Sequence, residues 1–241
     1  MAGIPPSRNP ANSTTAPREA CAASHSPDGG SLPASAVRAL QVRPIPCIVA
    51  KAILEREHYL HRLAGGTKLA FGAFVGDRLL GAMTLGVGPF NAPSLVAGAT
   101  SDDCLTLTRL WLSDDLPPNS ESRCIGIVLR SLRRHTSVGF VLSYADPSEG
   151  HLGVIYQATN WLNIGLSQPM PLYDLGDGRR RHSRSVSHVY GTHSLTHLRG
   201  HGIPVKLICQ EPKLRYLYFL RPSWRERLLV PVLSYPKKEG A

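Results

Sequence analysis

Residues Val138 to Tyr144 form a short, unbroken apolar run, with Gly139 near its start and Asp146 just past its end. A strand without polar alternation can face water on neither side, so layers must cover both of its faces. That single feature argues for a mixed α/β sheet with helices above and below.

The flanking segments fit this architecture. Ile48, Ala50, Ala52, Ile53 and Leu54 recur at helical spacing and lead into Glu55, Arg56, Glu57 and His58, which predicts a helix delivering His58 and Tyr59 at its C-terminal end. Lys68 to Val75 and Leu79 to Gly86 read as a hairpin closed at Gly76-Asp77. Cys104 to Leu112 predicts a third strand, in which Arg109 is the one charge. Beyond Pro117-Pro118, Asn119 or Ser120 can cap a helix running through Ile125, Val128, Leu129 and Leu132. After the buried run, Gly150 to Asn160 reads as a loop followed by a short helix carrying Tyr156, and Trp161 to Leu166 as another strand. Val205 to Cys209 and Arg215 to Leu220 are further strand candidates, and Ser223 to Leu229 a last helical turn.

Residues 1–33 hold six prolines and no aromatic residue, a composition expected of a disordered tail. One domain is expected over 34–241, with a basic loop at 176–202 that contains five of the ten histidines. No apolar stretch approaches the roughly 18 residues of a membrane-spanning helix, so no membrane partner is expected. Five scattered cysteines without a C-x-x-C pair argue against a disulfide framework or structural zinc and favour a cytoplasmic setting.

The formal charge of +10 bears on the partner. Arg179, Arg180, Arg181 and Arg184 gather four guanidinium groups that can fork onto phosphate oxygens and release counterions, which points to nucleic acid. A solvated charged loop is the plain alternative. His193 and His197 are spaced to share a helix face, a weak metal signal without an H-E-x-x-H pattern. Arg123 and Gly126 lie near the start of a helix beginning near Ser120, whose free N–H groups favour an anion, although such a fragment also suits an ordinary amphipathic helix. Asp146, Ser148, Glu149 and His151 crowd the loop at the carboxyl end of the buried strand, where open sheets build their sites. Arg109, on a strand that wants burial, needs either Asp146 or a bound phosphate as its partner.

Four segments carry a family resemblance: HYLHR at 58–62, LTRLWL at 107–112, SRCIGIVLRSL at 122–132 and above all SYADPSEGHLGVIYQATNW at 143–161. Together they resemble the Mom family of phage DNA-modification proteins, over roughly residues 45–238. The resemblance implies a divergent GNAT-like α/β fold and an enzyme that converts adenine in double-stranded DNA to N6-methylcarbamoyl (acetamido) adenine, protecting phage DNA from host restriction endonucleases in the host cytoplasm. It implies an acyl-CoA-like donor such as acetyl-CoA near Arg123 and Gly126, and iron. His58, Tyr59, Asp146, Ser148 and Tyr156 would line the catalytic centre, with His58 or Asp146 as metal ligands and Arg109 positioning a phosphate or the flipped nucleotide. The oligomeric state stays open, a homodimer included. Two other readings compete: a GNAT N-acetyltransferase acting on a small amine or protein, and a nucleic-acid-binding protein without catalysis.

Overall fold

The computed structural model describes residues 32–33 and 35–237, so the expected tail at 1–33 lies outside the described residues except for Leu32 and Pro33. Leu32 packs on the main core and its N–H donates to the Asp115 carbonyl.

The described residues begin with α1 (Ala36–Ala39), β1 (Gln41–Pro44) and α2 (Cys47–Glu57), followed by β2 (Thr67–Val75), β3 (Arg78–Gly86) and β4 (Cys104–Leu112). Next come α3 (Ser120–His135), β5 (Phe140–Ala145), α4 (Val154–Gln157), β6 (Leu162–Leu166) and β7 (Met170–Asp174). The last part holds β8 (Arg181–His182), α5 (Ser183–Tyr190), α6 (Leu195–Gly200), β9 (Lys206–Gln210) and β10 (Leu214–Phe219). Seven strands form one mixed sheet in the order β1-β2-β3-β4-β5-β10-β6, in which only β4 and β5 run parallel.

The mixed sheet with helices on both faces agrees with the sequence reading. Phe140, Val141 and Leu142 of β5 are fully buried: Val141 faces the core under α3, while Phe140 and Leu142 face a second cluster with Leu95, Ile164 and Leu217. Helix α3 packs through Cys124, Ile125, Val128, Leu129 and Leu132, and α2 covers Ala70 and Ala82 through Ala50, Ile53 and Leu54. Neither Asn119 nor Ser120 caps α3 with its side chain. Asn119 takes a left-handed conformation (φ 72°) after the two prolines, and the Ser120 hydroxyl turns back to donate to the Pro117 carbonyl.

The region expected to be a basic loop is folded. Strands β8, β7 and β9 form a second, three-stranded sheet, and α5 and α6 cover it through a small separate core of Tyr173, Val186 and Leu198. The helices escaped the sequence reading because each buries one main apolar residue, too few to set a 3.6-residue period. Strand β1 was missed for a similar reason, since three of its four residues are exposed.

Candidate functional site

A cleft opens where β4 and β5 part. The two strands pair only from Cys104–Thr106 to Phe140–Leu142; beyond that, β4 follows β3 while β5 follows β10. The opening has a volume of about 380 Å³, within the usual roughly 300–1,000 Å³ of small-molecule sites. Ser143 spans the parting strands: its hydroxyl donates to the Leu107 carbonyl (3.2 Å) and shares a 2.8 Å hydrogen bond with the Tyr156 hydroxyl. Gly153, left-handed at φ 73°, starts the turn that carries Tyr156, and a side chain there would collide with the Tyr216 ring.

His58, Tyr59, Arg109 and Tyr156 all line this cleft. They arrive from the end of α2, from β4 and from α4. The His58 and Tyr59 rings stack at 4.5 Å with an interplanar angle of 25°, and His151 meets Tyr59 edge-on at 5.9 Å. Burial, assisted by the Arg109 charge, pulls His58 down to about 4, so the imidazole is neutral at pH 7. The Leu60 N–H donates to its Nδ1 at 3.1 Å, which leaves the proton on Nε2. Burial pushes Tyr156 up to about 12 and keeps its hydroxyl protonated.

Arg109 is half-buried, and its hydrogen bonds go to carbonyl oxygens: Nε to Arg62 (3.3 Å) and Nη1 to Thr108 (2.6 Å). Among the described residues no carboxylate pairs with it. The expected alternative partner, Asp146, is engaged elsewhere. Its Oδ2 lies 2.7 Å from Lys213 Nζ, and its Oδ1 accepts from the Ser148 hydroxyl (2.6 Å) and the Ser148 N–H (3.2 Å). Burial raises the Asp146 pKa, but Lys213 and Ser148 outweigh burial and hold the carboxyl below its usual range. The cleft wall passes from Ala145 to Gly150 without including Asp146 or Ser148, which instead shape the corner leading to His151. Lys213 went unnoticed in the sequence, because nothing in its neighbours marks it as the partner of a distant aspartate.

A metal held by His58 and Asp146 does not fit this arrangement. Both Asp146 oxygens are occupied, His58 Nδ1 accepts from the backbone, and the Arg109 cation sits in the same cleft. Among the described residues no three His, Cys, Asp or Glu side chains converge. The histidine pair expected on one helix face also separates. His193 precedes α6 and bonds with Ser187, whereas His197 stacks on His201 at 4.2 Å.

Arg123 and Gly126 border a second cavity of about 480 Å³, together with Arg130, Arg133 and residues 158–160. Arginines at 123, 130 and 133 share one face of α3. The Arg123 Nη2 donates to the Arg38 carbonyl at 3.0 Å, while its buried Nε has no partner. These features suit a phosphate-bearing ligand. A side chain at Gly126 would make only an ordinary contact with Arg130, so close approach does not demand a glycine there.

Of the four arginines read as a polyanion contact, Arg179, Arg180 and Arg184 are exposed, but Arg181 is claimed by Asp177 through two hydrogen bonds. His182, at the base of this segment, is pulled below its ordinary value by burial and by Arg62, Lys213, Arg184 and Arg109. Charges of the basic segment and of the cleft, Arg184 and Arg109, thus both act on His182. No helix among the described residues is long and apolar enough to cross a membrane.

With this geometry established, comparison with known proteins is informative. The methylcarbamoylase Mom of Escherichia phage Mu is 34% identical over 205 residues, covering 82% of this chain and 84% of that protein. Among solved structures, an aminoglycoside acetyltransferase AAC(6')-Ib in complex with paromomycin and acetyl-CoA has a TM-score of 0.46 at 10% identity, over 78% of this chain and 97% of that one. A GNAT family N-acetyltransferase, YhbS from Escherichia coli in complex with CoA, has a TM-score of 0.43 at 13% identity, over 78% and 86%. The sequence signature of one family spans residues 39–237, nearly all of the described residues, and the chain belongs to the Mom protein family.

Proposed function

We propose that this protein is a DNA-modification enzyme that attaches a methylcarbamoyl (acetamido) group to N6 of adenine in double-stranded DNA and so shields the DNA from restriction endonucleases. Family membership supports the activity, and the similarity to a methylcarbamoylase supports the group transferred. The observation that carries the reading is Arg109: a half-buried guanidinium with no carboxylate partner among the described residues, facing a cleft walled by aromatic rings. Such a site is built for an anion joined to a flat ring, which describes a nucleotide.

N6 is paired within a duplex, so the target adenine must leave the stack, at a cost of about a few kcal/mol. The exposed Arg179, Arg180 and Arg184 would hold the flanking phosphates, and Arg109 the phosphate of the extruded nucleotide. In the product the methylene carbon of the acetamide takes the place of one N6 proton. His58, neutral and protonated on Nε2, can donate a hydrogen bond but cannot take that proton at Nε2. The Tyr156 hydroxyl stays protonated and is held in its hydrogen bond with Ser143. Arg123 and Arg130 would hold the phosphates of an acyl-CoA-like donor in the second cavity. Ordinary acyl transfer attaches a carbonyl carbon, whereas this product is attached through CH2, so the chemistry is not simple acetylation.

Mass spectrometry of nucleosides from DNA co-expressed with the protein tests the proposal. A deoxyadenosine carrying the mass of an acetamide supports it, and an unchanged digest from folded, expressed protein rejects it. If DNA is unchanged but a small amine or protein gains an acetyl group, the protein is an ordinary N-acetyltransferase.

A further inference from the structure

We propose that Tyr59 is the platform on which the extruded adenine stacks, a role that deepens the DNA-modification reading and rests on it. The ring is unusual for its position: it lines the cleft, yet it is 48% exposed. His58, 6% exposed, backs Tyr59 in a near-parallel stack, His151 stands at a steep 74° to it, and among the described residues no second ring stacks parallel on Tyr59. A large flat apolar surface left open at the mouth of a cleft is a binding surface for another flat ring.

The backbone holds the platform in place. Helix α2 stops at Glu57, His58 turns to an extended conformation, and His61 closes the turn with a positive φ of 43°. That left-handed conformation is unfavourable for a histidine and persists because the His61 N–H donates to the His58 carbonyl at 2.7 Å while its Nδ1 bonds with the Glu55 carbonyl at 3.2 Å. Arg109 donates to the Arg62 carbonyl, which ties the same turn to β4 and sets a cation beside the ring for the nucleotide's phosphate.

A binding cycle between protein and DNA tests this role. Two short duplexes are compared by fluorescence anisotropy: one carries an adenine shown by nucleoside mapping to be modified, and the other an abasic site at that position. Tyr59→Ala is expected to weaken binding of the first duplex by roughly 5- to 150-fold, the usual effect of deleting one base-stacking side chain, and to leave the abasic duplex close to wild type. Tyr59→Trp should keep the difference between the duplexes. Tyr59→Leu, which retains apolar bulk, serves if the alanine variant does not fold, with circular dichroism as the check. Equal losses on both duplexes, or none on either, would overturn the assignment. So would a raised donor KM with both DNA affinities unchanged, since the ring would then hold the donor. If wild-type protein marks DNA while the duplexes respond alike, only the stacking role fails; if wild-type protein leaves DNA unmarked, the enzymatic reading itself fails.

Discussion

Lys213 places its ammonium 2.7 Å from the Asp146 carboxylate and thereby joins the start of β10 to the corner after β5. The pair explains why Asp146 stands beside the cleft rather than in its wall. The same carboxylate receives the Ser148 hydroxyl and N–H, so the segment that leads to His151 is tied down at three points.

Replacing Asp146 with Asn should therefore act first on stability. The change strands the Lys213 cation and weakens the corner, and the expected loss is about 1–3 kcal/mol in urea denaturation. The pH dependence has a defined sign. The folded-state pKa of Asp146 is depressed, so its contribution is complete above the unfolded value of about 4 and is lost as pH falls through the lower folded value. D146N should lack that acid-side loss. Equal acid sensitivity in the two proteins would contradict the role assigned to the pair.

His58 should remain neutral well into the acid range. Its folded pKa of about 4 lies below the ordinary 6.5, so protons bind the unfolded chain more readily between these values. The His58 contribution to stability is thus complete above about pH 6.5 and declines as pH falls towards 4. NMR titration of the ring should be flat from pH 8 to about 5.5. A midpoint near 6.5 would show that Arg109 and burial do not act on it as described.

Arg109 separates function from stability. Because no carboxylate pairs with it among the described residues, Arg109→Met removes a half-buried charge without orphaning a partner charge. The melting temperature should hold or rise, while modification of DNA falls by at least about 100-fold, the scale expected when a charge-assisted phosphate contact of about 3 kcal/mol is lost. A variant that unfolds, or one that retains full activity, would contradict this.

The basic segment should contribute unequally. Joint replacement of Arg179, Arg180 and Arg184 by Ala should lower DNA affinity and reduce the salt slope by about 0.9 per lost phosphate contact. Arg181→Ala should change the slope least, since Asp177 already neutralises that guanidinium. Binding isotherms at several salt concentrations decide the matter; identical slopes for all variants would remove this surface from the DNA contact.

Much of the architecture was legible locally. The unalternating run through Phe140, Val141 and Leu142 demanded two covering layers, and the apolar faces of α2 and α3 supplied them. Helix α2 could also be seen to deliver His58 and Tyr59. The basic segment was different. Val186 and Leu198 form its core with Tyr173, a residue from another strand, so a single window of sequence held too little apolar period to reveal helices.

Residue order thus determined most of the strands of the main sheet and the two helices α2 and α3 that cover it, because backbone propensity and hydrophobic period act over a few neighbouring positions. The tertiary fold alone decided which charges distant in the chain meet. Lys213 took Asp146, and Arg109 was left facing the cleft with no carboxylate among the described residues. Ion pairing depends on distance through space, and residues far apart in the chain gain that proximity only when the sheet has assembled.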